Sequence, residues 1–175
     1  MPERKLKIFV DVVNQACRMG VKKGETTPDT KKGKIMSVIE NILAAKNIQI
    51  SATYQGVKKE DNWQHHNWKV HVSGGNGLNI DTEYSKGMGH DAASGVTADD
   101  LIPAMLTDAS FAEFSFQEFC NESGYEQYDP ETGRENRKAR GLWNACGVAA
   151  KNIKRMKFTE EEMQAILDYI EEEGL

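Results

Sequence analysis

The sequence predicts an α+β protein, and three observations carry that prediction. Apolar residues recur at three- and four-residue steps near both ends of the chain, which is helical spacing. Over residues 48–84 they alternate with polar residues, which is strand spacing. The order of helices, then strands, then helices favours segregated layers over a βαβ repeat. The expected architecture is an N-terminal helical hairpin, a three-stranded antiparallel sheet and a C-terminal helical bundle of about four helices. Residues 1–46 form the N-terminal helical segment, and residues 47–175 form the α+β domain.

The elements follow in order. Leu6, Phe9, Val10, Val13, Ala16 and Cys17 place one apolar face on a helix over residues 5–19, with Gly20 as its stop. Residues 20–34 are rich in Lys, Gly and Thr and read as a loop. Ile35, Val38, Ile39, Ile42 and Leu43 line a second helix over residues 35–46. Ile48, Ile50, Ala52 and Tyr54 alternate as a first strand, and residues 56–62 read as a polar connection. Trp68, Val70 and Val72 form a second strand, with His71 on its opposite face. Gly74, Gly75, Asn76 and Gly77 give the strongest turn signal in the chain. Leu78, Ile80, Thr82 and Tyr84 alternate as the third strand of a meander.

Helical spacing returns after Gly95. Thr97 is a good N-cap, with Asp99 and Asp100 in the first turn, where the helix dipole favours anions. Leu101, Ile102, Met105 and Leu106 form the apolar side, and Pro103 falls early in the helix. Ser115 caps a short helix carrying Phe116, Phe119 and Cys120 that ends near Gly124. Residues 134–156 read as a long basic helix with Ala139, Leu142, Trp143, Cys146, Ala149, Ala150 and Ile153 inward. Thr159 and Glu162 have capping-box spacing and open a last helix with Met163, Ile166, Leu167 and Ile170 inward.

Composition limits the functional classes. No apolar run approaches the roughly 20 residues of a membrane span. The N-terminus has no small-residue cleavage pattern, so a cytoplasmic protein is expected. Cys17, Cys120 and Cys146 are odd in number and widely spaced, which argues against a disulfide framework. The net charge of −5 is segregated along the chain. Residues 60–133 carry 14 acidic and 2 basic groups, whereas residues 134–157 carry 8 basic and 1 acidic. Such blocks can steer charged partners.

A set of motifs carries a family resemblance from about Ile48 onward. They are Asp61, Asn62 and Trp63; Trp68, Lys69 and Val70; the run from Tyr84 to His90; Thr97 to Leu101; and Leu106 to Ala109. Phe116, Phe119, Cys120, Gly124 and Tyr125 then follow the pattern Phe-x-x-Phe/Trp-Cys-x-x-x-Gly-Tyr, Trp143, Asn144, Ala145 and Cys146 follow an aromatic-Asn-Ala-Cys step, and the tail from Phe158 to Glu162 also fits. In this order the motifs resemble a family of small bacteriophage- and prophage-encoded proteins. The chain departs from that pattern at residues 128–134. Members of the family carry no settled activity, so the resemblance implies phage origin more than chemistry.

No nucleophile–base pair, metal-ligand spacing or phosphate-binding fingerprint stands out, so no cofactor and no catalysis are expected. The expected activity is macromolecular binding inside a bacterial host cell. A phage accessory protein of this kind would inhibit a host protein, for example a nucleic-acid-processing defence complex, as an anti-CRISPR-type inhibitor does. An acidic face with Asp99, Asp100, Glu118 and Glu122 would steer the encounter, and Trp63, Trp68 and Tyr125 would anchor it. The alternative is a nucleic-acid-binding module, in which Lys22, Lys23, Lys31, Lys32, Lys34, Arg137, Lys138 and Arg140 would grip phosphates.

Overall fold

A computed structural model describes residues 36–60, 63–87 and 95–175. The expected helix over residues 5–19, its Gly20 stop, Ile35 and the lysines at 22, 23, 31, 32 and 34 lie outside the described residues. In chain order the elements are α1 (Val38–Ala45), β1 (Gln49–Glu60), β2 (Trp63–Gly74), β3 (Leu78–Gly87), α2 (Ala98–Ser110), α3 (Phe116–Ser123), α4 (Arg137–Met156) and α5 (Glu160–Glu173). The fold is α+β, with five α-helices among the described residues and one antiparallel sheet of order β1-β2-β3.

The described residues group into two compact units that interleave along the chain. One contains the sheet and α1, runs to Ile102 and includes Glu160–Glu173; the other is Pro103–Thr159. Four helices follow the sheet as expected. The last of them, α5, belongs with the sheet and α1, not with α3 and α4.

In the sheet unit, Ser37 caps α1 reciprocally: its hydroxyl accepts from the Glu40 N–H at 3.0 Å and its own N–H donates to the Glu40 carboxylate. Ile39 and Leu43, one turn apart, are buried, while Val38 stands 37% exposed beside that line instead of within it. α1 packs on α5, where Ile166 is fully buried, and Lys46 Nζ meets Glu162 Oε2 at 2.9 Å.

Alternation places Trp68, Val70, Val72 and Ile80 on one buried sheet face. His71 lies on the other face as expected, its Nδ1 2.8 Å from Asp81 Oδ1 on β3. The β2–β3 turn passes through Asn76 and Gly77, both at positive φ. Residues 56–62 are not a simple connection. β1 continues through a bulge at Gly56, whose φ of 96° is a glycine conformation, and pairs on to Glu60 opposite Trp63.

In the other unit, Phe116, Phe119, Cys120, Ala139 and Cys146 form the core. Phe111 meets Phe114 and Phe119 edge-on, with centroids 5.5 and 5.9 Å apart. Trp143 Nε1 donates to the Phe114 carbonyl at 2.9 Å, which satisfies the indole inside the cluster. Ser115 and Glu118 form the capping box of α3, and Gly124 closes that helix in the left-handed conformation.

Two details of α4 differ from expectation. It begins at Arg137, because the Asn136 side chain accepts from the Ala139 N–H, and residues 134–136 stay outside. Leu142 is 40% exposed: the aromatic cluster lies on the Trp143 flank of the Ala139–Cys146 line, and Leu142 occupies the other flank. Pro103 is also further into α2 than a first-turn position, so it cannot donate to the Asp99 carbonyl.

Candidate binding surfaces

Asp99 and Asp100 start α2, the helix that Thr97 caps. Asp99 is bonded through both carboxylate oxygens. Ser37 Oγ donates to Oδ1 at 2.6 Å, and the Tyr169 hydroxyl donates to Oδ2 at 3.1 Å. Burial and the neighbouring Asp99 raise the Tyr169 phenol above its ordinary value. Asp100 Oδ2 accepts from the Thr97 N–H at 2.8 Å and from its hydroxyl at 2.9 Å, and it pairs with Lys86 Nζ at 2.9 Å. Burial would raise the Asp100 carboxyl. The Thr97 and Lys86 hydrogen bonds outweigh it and hold the group below its ordinary range.

The remaining expected contacts are distributed as follows. Trp68 is 3% exposed, so it is a core residue and not an anchor: the pleat turns it onto the buried sheet face between Tyr54 and Tyr84. Trp63 opens β2. Glu118 is exposed but returns to the Ser115 N–H at 2.8 Å, which lowers its pKa. Glu122 is exposed on α3, and Tyr125 is half-buried, stacked on Phe119. Asp99 and Asp100 belong to the sheet unit, whereas Glu118, Glu122 and Tyr125 belong to the other.

A cleft of about 390 Å³ opens beside Asp99, between Ser37, Glu40, Thr97 and Tyr169. Ser37 and Tyr169 were invisible as its partners in the sequence, because they lie 62 and 70 residues from Asp99.

A second candidate surface lies on α4. This helix carries six basic residues and no acidic one. Arg137, Gly141, Asn144, Val148, Lys151 and Arg155 follow four- and three-residue steps, so they share one side, and all six are exposed. Lys138 and Lys154 flank that side and are exposed too. Over 20 residues the face runs about 30 Å. Gly141, Asn144 and Val148 did not stand out in the sequence, although their spacing from Arg137 was readable there. Arg140 is different. Its guanidinium is bidentate to Glu135, with Nε 2.9 Å from Oε1, and lies 3.7 Å over the Phe116 ring. It is thereby spent on holding the loop and the aromatic cluster together, not presented as a phosphate contact.

Among the described residues no group of three His, Cys, Asp or Glu side chains is placed to hold a metal ion, and no helix is long and apolar enough to cross a membrane. Burial pushes the Cys146 thiol up to about 11, far from a nucleophile's range. Comparison of the chain with family models, with curated proteins and with solved structures gives no match, so its surfaces are read from their own chemistry.

Proposed function

We propose that the protein is a nucleic-acid-binding accessory protein that grips phosphates along the outer face of α4. The observation that carries this reading is the exposed face of Arg137, Asn144, Lys151 and their neighbours on a helix that has no acidic residue of its own. A helix about 10–12 Å across fits a major groove about 12 Å wide. Gly141 and Ala145 add almost no bulk, so backbone can approach phosphate closely. Lys154 and Arg155 lie in the last turn, where the helix dipole supports cations. The resemblance of the motif order to phage and prophage proteins is the support for reading it as a phage or mobile-element accessory protein in a bacterial cytoplasm.

Inhibition of a host defence complex through an acidic face has less support. Asp99, Asp100 and Glu118 already have hydrogen-bond partners in the folded chain, and Trp68 is buried.

The test is fluorescence anisotropy with labelled duplex at increasing salt. With four phosphate contacts, affinity is expected to fall about 10²-fold between 50 and 200 mM salt. Lys151→Glu with Lys154→Glu is expected to weaken binding to every sequence alike and to reduce the salt slope by about 2. Absence of binding at 50 mM salt, or an unchanged slope in the double variant, would refute the reading.

A further inference from the structure

We infer that the outer edge of β1 pairs with the same edge of a second copy of this chain, making a two-fold symmetric dimer with a continuous six-stranded sheet. Among the described residues β1 is an edge strand, paired with β2 alone in the sheet order β1-β2-β3. It is also bare, since residues 51–55 and 57–59 are exposed on both faces. A strand of 12 residues with an open edge presents a long row of backbone donors and acceptors.

The two halves of this edge differ. The far half is protected against pairing by the bulge at Gly56 and by Lys58 and Lys59. The near half, residues 49–54, lies before the bulge and carries no charge. Its sheet face is left uncovered as well. Ile50, Ala52 and Tyr54 register with Val72, Val70 and Trp68, which are at most 3% exposed, yet Tyr54 is 48% exposed and Ala52 is exposed. Among the described residues the apolar face of the sheet therefore runs out at β1, where Ala52 and Tyr54 are exposed.

The near half is complementary to itself. In an antiparallel pair centred on Ala52, Ile50 lies opposite the partner's Tyr54 and Ser51 opposite the partner's Thr53, each twice by symmetry. Directly opposed residues share a face, so the aromatic–aliphatic pairs extend the apolar side and the hydroxyl pairs extend the polar side. Ala52 meets the partner's Ala52 at the axis without crowding. Lys58 and Lys59 lie beyond the bulge, outside the paired stretch, so no like charges are opposed. A foreign strand would need this same uncharged pattern, whereas a second copy supplies it automatically, as an isologous interface requires. The pairing engages one strand from each copy, so the dimer is expected to form reversibly with concentration.

Sedimentation velocity on the full chain over a wide concentration range tests this. The expected result is a concentration-dependent shift from monomer to dimer that Ala52→Lys abolishes while the circular dichroism spectrum stays unchanged. A monomer at every concentration, or a dimer that Ala52→Lys leaves intact, would overturn the inference. Register is tested by mild oxidation of Ala52→Cys and, separately, Lys58→Cys. A linked dimer is expected at position 52 only, and linkage at neither position or equally at both would overturn the pairing.

Discussion

Asp99 and Asp100 are neighbours in sequence with separate tasks in the sheet unit. Asp99 joins Ser37, the cap of α1, to Tyr169 of α5, and Asp100 joins Lys86 of β3 to the cap of α2. The depressed Asp100 carboxyl has a definite sign. The charged form is the one held in the folded state, so its stabilisation is complete above the ordinary value of 3.8 and is lost as pH falls through the lower folded value. Asp100→Asn is expected to cost about 1.5–3 kcal/mol at neutral pH, with the gap to the parent chain closing below pH 3.8, as read by urea denaturation across pH. Cys146 has the opposite sign: burial favours its neutral thiol, with a pKa of about 11. Its alkylation at pH 8 is expected to run about two orders of magnitude slower in the folded chain than in urea, followed by mass spectrometry. What was readable at this scale was local chemistry. Thr97 and Ser115 announce themselves as caps because their partners lie three residues away. The partners of Asp99 and the burial of Trp68 depend on distant chain segments, so charge and aromaticity alone suggested a partner surface that folding had already used.

Elements with a strong period were legible from the sequence, and their margins were not. The alternation of Trp68, Val70 and Val72 gave β2, but β1 runs past Tyr54 because a bulge at Gly56 lets polar, lysine-bearing chain stay in the ladder. The start of α4 is set by the Asn136 side chain, a weaker signal than the basic residues around it. α3, of eight residues, is too short to be stable by propensity alone, so its two ends matter. Ser115→Ala removes the hydroxyl of a reciprocal cap and is expected to cost about 1 kcal/mol in thermal or chemical denaturation. Trp143→Phe keeps the ring packing on Phe116 but leaves the Phe114 carbonyl without its indole donor. It is expected to cost about 1–3 kcal/mol, and a loss near zero would show that water takes the donor's place.

At the scale of the whole molecule, the α+β class and the three-stranded meander were legible, because they follow from the order of periods along the chain. The grouping was not. Nothing local in α5 says that Ile166 is buried in the unit with the sheet and α1, and not with the helices immediately before it. Truncation after Thr159 removes Ile166, the Glu162 partner of Lys46 and the Tyr169 partner of Asp99. It is expected to destabilise the sheet unit by more than the 2–5 kcal/mol of a single buried Ile→Ala change, and amide exchange along β2 is expected to accelerate accordingly. Unchanged protection of β2 would contradict the assignment of α5 to that unit. The same interleaving orders events during synthesis. Lys46 leaves the ribosome 116 residues before Glu162, a wait on the order of ten seconds at about 5–20 residues per second. During that interval the meander exists without α5, whereas Pro103–Thr159 emerges as one uninterrupted stretch. The aromatic unit can therefore condense first, and the nascent sheet is the part of this chain that chaperones would be expected to shelter.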